Sequence, residues 1–187
     1  MRTGSRQRRA VDLGTGLMLL AALALLVGDR LGPAWRSARA VEVGGLLPAG
    51  LRVRSLAAGD TLSVAGAGPT LLLFFRSDCP ACARNLGAWR TLLARAGHRV
   101  RPLAAGLERP SPALAWVRER LPRALAVRPL EPSDFLARLA VRRVPATLLV
   151  GPGDRLLFRR DGVLAPADLD SLLVLAGPGL SSRGDGR

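Results

Sequence analysis

The sequence predicts an α/β domain that opens with a β-hairpin and is preceded by a single transmembrane helix. Three observations predict it. Between residues 51 and 176, short apolar runs of strand type alternate with segments of helical period. The only two cysteines in 187 residues stand in Cys79-Pro80-Ala81-Cys82, where one of those apolar runs gives way to a helix-like run. Near the start, a group of arginines precedes 15 residues without a charge, Leu13 to Val27.

The N-terminal region divides by charge. Residues 1–10 are basic, with Arg2, Arg6, Arg8 and Arg9, and the apolar span is expected over residues 11–27. Seventeen helical residues cover about 26 Å, slightly less than the hydrocarbon layer of roughly 30 Å, a mismatch that local thinning absorbs. The arginines keep their side in the cytoplasm, so everything after Val27 is expected outside it, at the cell membrane or in the periplasm. A cleaved signal peptide is the competing reading, but the nearest small-residue site, Ala38-Arg39-Ala40, lies well past the apolar run and follows Asp29, Arg30 and Arg36. A retained single-pass signal anchor is therefore expected. Residues 28–50, rich in Gly, Pro and Ala, read as a linker.

The folded domain is expected over residues 51–176. Leu51 to Leu56 alternates apolar and polar residues, and Ala57 to Asp60 offers a turn before Thr61 to Val64, which together make a hairpin. Thr70 to Phe75 is continuously apolar, as in a strand covered on both faces. After the cysteines, Leu86, Trp89, Leu92 and Leu93 recur at helical spacing until Gly97. Arg99 to Leu107 reads as a strand, and Ser111-Pro112 as the N-cap and first position of a helix ending at Leu121. A weak strand over Ala124 to Leu130 and a short helix over Pro132 to Ala140 follow. Val144 to Val150 reads as a strand with Pro145 near its start, an odd place for proline unless the backbone turns there. Gly151 to Asp154 is a turn into a strand over Arg155 to Arg160, Ala165 to Leu175 is the last helix, and residues 177–187 are expected to be a flexible tail.

Composition narrows the functional classes. The net charge is +14, and all 28 basic residues are arginine; lysine and isoleucine are absent, a bias of coding composition rather than of function. The arginines are scattered, tyrosine is missing, and no stacking platform or nucleic-acid module is recognisable, so nucleic-acid binding is not expected. His98, the single histidine, falls just past a helix stop, where it caps or faces water rather than ligating a metal. No metal site is expected.

The cysteine motif carries the chemistry. At a strand-to-helix junction the first sulfur meets the unpaired N–H groups and positive end of the helix, and the second lies one turn along the same face. The pair suits thiol–disulfide exchange: Cys79 attacks and Cys82 closes the ring. Arg76 and Arg84 favour negative charge at Cys79 and Asp78 opposes it, and the sequence does not rank the two.

With Leu71 to Phe75, the C-x-x-C motif, Val144-Pro145-Ala146-Thr147, the turn through Gly153-Asp154 and a terminal helix in this order, the chain resembles the thioredoxin superfamily. The likeness is to its exported, membrane-tethered TlpA-like members, including the accessory thioredoxins of methylamine utilisation. The resemblance implies a central mixed sheet flanked by helices. It implies Cys79 as exposed nucleophile, Cys82 as buried resolving thiol, and Pro80 and Ala81 as the turn that tunes redox poise. It also implies Pro145 as a cis-proline, with the backbone of Val144 pairing with an extended substrate. No cofactor is implied beyond a redox-active disulfide between Cys79 and Cys82. Implied partners are exported thiol or disulfide client proteins, such as cytochromes or metalloproteins under assembly, and a membrane protein that supplies or takes electrons, with reduction of the client favoured. Two departures stand out: Asp78 replaces the aromatic residue common before the first cysteine, and Leu73 occupies the place of a buried acid.

Two other readings use the same residues. The sulfurs could hold a soft metal such as copper, although no Met-rich or His-rich segment accompanies them. They could instead form a structural disulfide in a redox-inactive binding module, although so short a loop gives little entropic stabilisation.

Overall fold

The computed structural model describes residues 41–177. The basic start, the apolar span over 11–27, most of the linker and residues 178–187 lie outside the described residues. Among the described residues, no helix is long and apolar enough to cross a membrane.

Seven strands form one mixed sheet: β1 (Arg52–Ser55), β2 (Thr61–Ser63), β3 (Thr70–Phe75), β4 (Arg101–Gly106), β5 (Leu125–Pro129), β6 (Ala146–Val150) and β7 (Leu156–Asp161), in the order β2-β1-β5-β4-β3-β6-β7. Four helices accompany it: α1 (Pro80–Ala96), α2 (Pro110–Arg120), α3 (Pro132–Arg138) and α4 (Pro166–Leu175). Strand β3 is parallel to β4 and antiparallel to β6, while β1 and β2 pair antiparallel at one edge.

The continuously apolar β3 is central because each face has its own core to fill. Leu71, Leu73 and Phe75 point to one side, among Cys82, Leu86, Trp89 and Leu92 of α1, Val117 of α2 and Leu172 of α4. Leu72 and Phe74 point to the other, among Val53, Leu148, Phe135 and Leu139. Burial of each such side chain contributes about 1.5–3 kcal/mol, so this strand and the helix it leads into are held firmly. Trp89, fully buried, donates its indole N–H to Thr147 Oγ1 of β6 at 2.9 Å, which satisfies both polar atoms in the core.

Three local differences from the sequence reading have physical causes. The packed chain begins before Leu51: Gly44 N–H donates to Leu156 O at 2.7 Å, Leu47 N–H to Asp154 O at 2.7 Å, and the Leu47 side chain is buried. The last part of the expected linker therefore closes against β7. Helix α2 starts at Pro110 with Arg109 as N-cap, because Pro110 already supplies the fixed φ of a first helical position and leaves Ser111 inside the first turn. Strand β6 starts at Ala146, not Val144, because Pro145 has no N–H to give to the ladder; the Val144–Pro145 peptide is cis. The helix stop at Gly97 has φ +58°, which favours glycine.

Candidate active site

The dithiol sits where β3 ends and α1 begins. Phe75 closes β3, residues 76–78 form the connection, and Cys79 is the N-cap of α1 with Pro80 at the first helical position. The Cys79 sulfur accepts the Cys82 backbone N–H at 3.3 Å, one of the N–H groups a helix start leaves without a helical partner. The positive end of the helix therefore faces that sulfur. Cys79 is half-buried, Pro80 is exposed, Ala81 is half-buried, and Cys82 is fully buried one turn in. Both cysteines are free thiols.

Burial pushes the Cys82 thiol up to about 12, and its hydrogen bond with Cys79 adds to the rise. Leu73, at the place where the family resemblance puts an acid, is fully buried in the same core cluster as Cys82. That apolar neighbour offers Cys82 no proton acceptor.

Across from the helix, the Val144 carbonyl accepts from the Cys79 thiol at 3.8 Å, and Pro145 follows it in a cis peptide. The structure thus brings Cys79, Cys82 and Val144-Pro145 together, although 65 positions separate Cys79 from Val144. Strand pairing explains the meeting, because Ala146 of β6 lies opposite Phe74 of β3.

The charges that sequence could not rank resolve into a pair. Arg76 Nε donates to Asp78 Oδ1 at 3.0 Å and its Nη2 to Oδ2 at 2.8 Å. This two-point contact holds the Asp78 carboxyl below the usual carboxylate range and raises Arg76. The two side chains largely cancel as a field on Cys79, while Arg84 remains exposed on α1.

Two residues of the site went unread in sequence. Glu108, just past β4, accepts the Ser77 backbone N–H at 2.6 Å and the Ser77 hydroxyl at 2.7 Å, which pins the connection ahead of the cysteines. The parallel register of Phe75 with Gly106 carries Glu108 there, and a lone carboxylate two residues past a strand was its only signal. Asn85, one turn beyond Cys82 on α1, is fully buried, and its Oδ1 accepts the Leu164 N–H at 2.8 Å, which ties α1 to the approach to α4. Its signal was a polar residue on the helix face that Cys82, Leu86 and Trp89 make apolar.

His98 lies at the opposite end of the sheet. It precedes Arg101, whose partner Thr70 opens β3, whereas Cys79 follows the close of β3. Among the described residues, no group of three or more His, Cys, Asp or Glu side chains could hold a metal ion.

No protein-family model matches the chain, and no curated protein matches it. Solved structures do. The thioredoxin domain of a thiol-disulfide oxidoreductase from Bacteroides vulgatus aligns with a TM-score of 0.62 at 16% identity, over 74% of this chain and 100% of that one. StoA from Bacillus subtilis aligns with a TM-score of 0.53 at 16% identity, over 67% and 98%. A secreted Mycobacterium tuberculosis disulfide oxidoreductase, described as homologous to E. coli DsbE, aligns with a TM-score of 0.55 at 14% identity, over 66% and 94%. At these identities the likeness is one of fold: the described domain is thioredoxin-like.

Proposed function

We propose that the chain is an extracytoplasmic, membrane-tethered thiol–disulfide oxidoreductase that exchanges disulfides with exported client proteins through Cys79 and Cys82. One observation carries the reading: a half-exposed sulfur capped by a helix N–H, with a second, buried sulfur one turn behind it. Its structural neighbours include proteins named for this chemistry, which supports the same conclusion. The tether rests on the arginine-led apolar span over 11–27.

In the reducing direction, the Cys79 thiolate attacks one sulfur of a client disulfide. The client S–S bond breaks, a Cys79–client disulfide forms, and the departing client sulfur takes a proton. Cys82 then gives up its proton and attacks the Cys79 sulfur. The mixed disulfide breaks, Cys79–Cys82 closes, and the second client sulfur leaves as a thiol. The client has gained two electrons and two protons, and a membrane dithiol donor must return them to this chain. Each step also runs backwards, which would make the protein an oxidant.

Reduction is the favoured direction. Strong oxidants of this kind owe their potential to a stabilised reduced form. Here Asp78 spends the nearby Arg76 charge, which is then not free to stabilise a Cys79 thiolate. Val144 supplies a carbonyl that faces the Cys79 sulfur and Pro145 supplies no N–H, so an extended client segment can lie along this edge beside Cys79.

Paired cysteine variants test the reading. Cys79→Ser is expected to abolish exchange, and Cys82→Ser to accumulate a covalent Cys79–client disulfide in cells. Absence of any reducible adduct on Cys82→Ser in non-reducing gels would count against an exchange enzyme.

A further inference from the structure

The backbone that leads to Cys79 is an unpaired edge carrying charge of one sign. Residues 142–144 lie in neither helix nor strand, and among the described residues the N–H groups of Arg142, Arg143 and Val144 donate to no backbone carbonyl. The Arg142 and Arg143 side chains are exposed. Neither stands in an ion pair or a side-chain hydrogen bond among the described residues, whereas the nearby Arg76 and Arg159 are each matched by a carboxylate, Asp78 and Asp161. Arg84, exposed on the first turns of α1, adds a third guanidinium without a carboxylate partner among the described residues. Arginine is plentiful over this surface, so position matters more than number. Arg142 and Arg143 directly precede Val144, whose carbonyl lies 3.8 Å from the Cys79 sulfur, and Arg84 follows Cys79 by five residues on α1.

We propose that this edge selects clients whose cysteine is flanked by aspartate or glutamate. The inference rests on the exchange reading above and names the chemistry of its substrate. A segment added along residues 142–144 would give its carbonyls to the open N–H groups and set its side chains against the two guanidiniums. Guanidinium forks take carboxylates in two-point contacts and stay charged at any working pH. A cationic rim also raises the encounter rate of an anionic segment, by about tenfold or more at low salt, and loses the advantage as salt screens it. Basic segments would meet like charge, since the nearby carboxylates of Asp78 and Asp161 are already paired with Arg76 and Arg159.

The test uses the full chain in its reduced form with three disulfide-bridged peptides alike but for their flanks: Asp/Glu, Ser/Asn, or Lys. Bis(2-hydroxyethyl) disulfide, small and neutral, serves as a fourth substrate that reports the dithiol alone. The acidic peptide is expected to react about tenfold faster than the lysine peptide at low ionic strength, with the gap closing at high salt. Arg142→Glu/Arg143→Glu is expected to reverse the order, and the milder Arg142→Gln/Arg143→Gln to flatten it. Equal peptide rates alongside ready reduction of the neutral disulfide would overturn the client preference and leave the exchange reading standing. An order unchanged in both double variants would overturn it too. Failure to reduce any of the four would overturn both.

Discussion

Cys82 shows how one residue's surroundings set its chemistry. Its side chain has no solvent exposure, and burial in an apolar layer that includes Leu73 holds the thiol protonated far above neutral pH. A thiol reacts with alkylating reagents only as thiolate and only where reached. Mass spectrometry of the reduced, folded protein treated with iodoacetamide at pH 8 is therefore expected to find one label, on Cys79, with Cys82 labelled only after unfolding. The sign follows from linkage: the folded thiol titrates higher than the unfolded one, so its contribution to stability is complete below about pH 9 and lost as pH climbs towards 12. Equal labelling of the two sulfurs in the native state at pH 8 would contradict this. Sequence spacing alone placed both sulfurs on one helix face. It could not show that the Arg76 and Asp78 charges cancel, because that depends on where two side chains turn in a short connection.

At the scale of elements, the connection between β3 and α1 is positioned from outside itself. Glu108 receives both the N–H and the hydroxyl of Ser77, so the turn ahead of Cys79 is tied to the end of β4. Glu108→Ala leaves the Ser77 N–H without its acceptor. It is expected to cost about 1–3 kcal/mol in chemical denaturation and to slow exchange, whereas Glu108→Gln, which keeps one acceptor oxygen, should lose less of both. A loss of stability with no change in exchange rate would confine Glu108 to a structural part. The close of β4 also needs a small residue, because a Cβ on Gly106 would stand 2.6 Å from that of Ala113 in α2. Apolar periodicity made β3, α1 and α4 legible within a residue or two. The capping pattern misplaced the start of α2 at Ser111-Pro112, where Pro110 takes the first helical position, the strand expected from Val144 starts at Ala146, and the Gly- and Pro-rich residues 44–47 close on β7 through backbone hydrogen bonds that composition does not record.

On the scale of the whole molecule, the described domain has a polarity. The sulfurs lie beyond the end of β3, while the incoming chain at Gly44 to Leu47 meets Asp154 to Leu156, which through Val150 lies level with the start of β3. Six strand residues, about 20 Å, separate the two ends. The arginine-led apolar span over residues 11–27 predicts attachment to a membrane. The full chain is accordingly expected to sediment with membranes, resist extraction at high salt and enter detergent. Release by salt alone would place the protein on the membrane by its arginines instead. The strand order β2-β1-β5-β4-β3-β6-β7 was not legible from periodicity, since pairings such as β1 with β5 join segments far apart in the chain. The resemblance carried by the cysteine motif and Val144-Pro145 implied a central mixed sheet but not this order of strands.

The account turns on whether the two sulfurs interchange between dithiol and disulfide under biological conditions. Equilibrating the full chain with glutathione mixtures under anaerobic conditions, and counting free thiols at each poise, measures this directly. The prediction is one reversible two-electron transition between Cys79/Cys82 dithiol and disulfide, with a midpoint between about −180 and −300 mV. A pair that stayed bridged throughout, as a structural disulfide below about −300 mV would, or that never bridged at all, would contradict it.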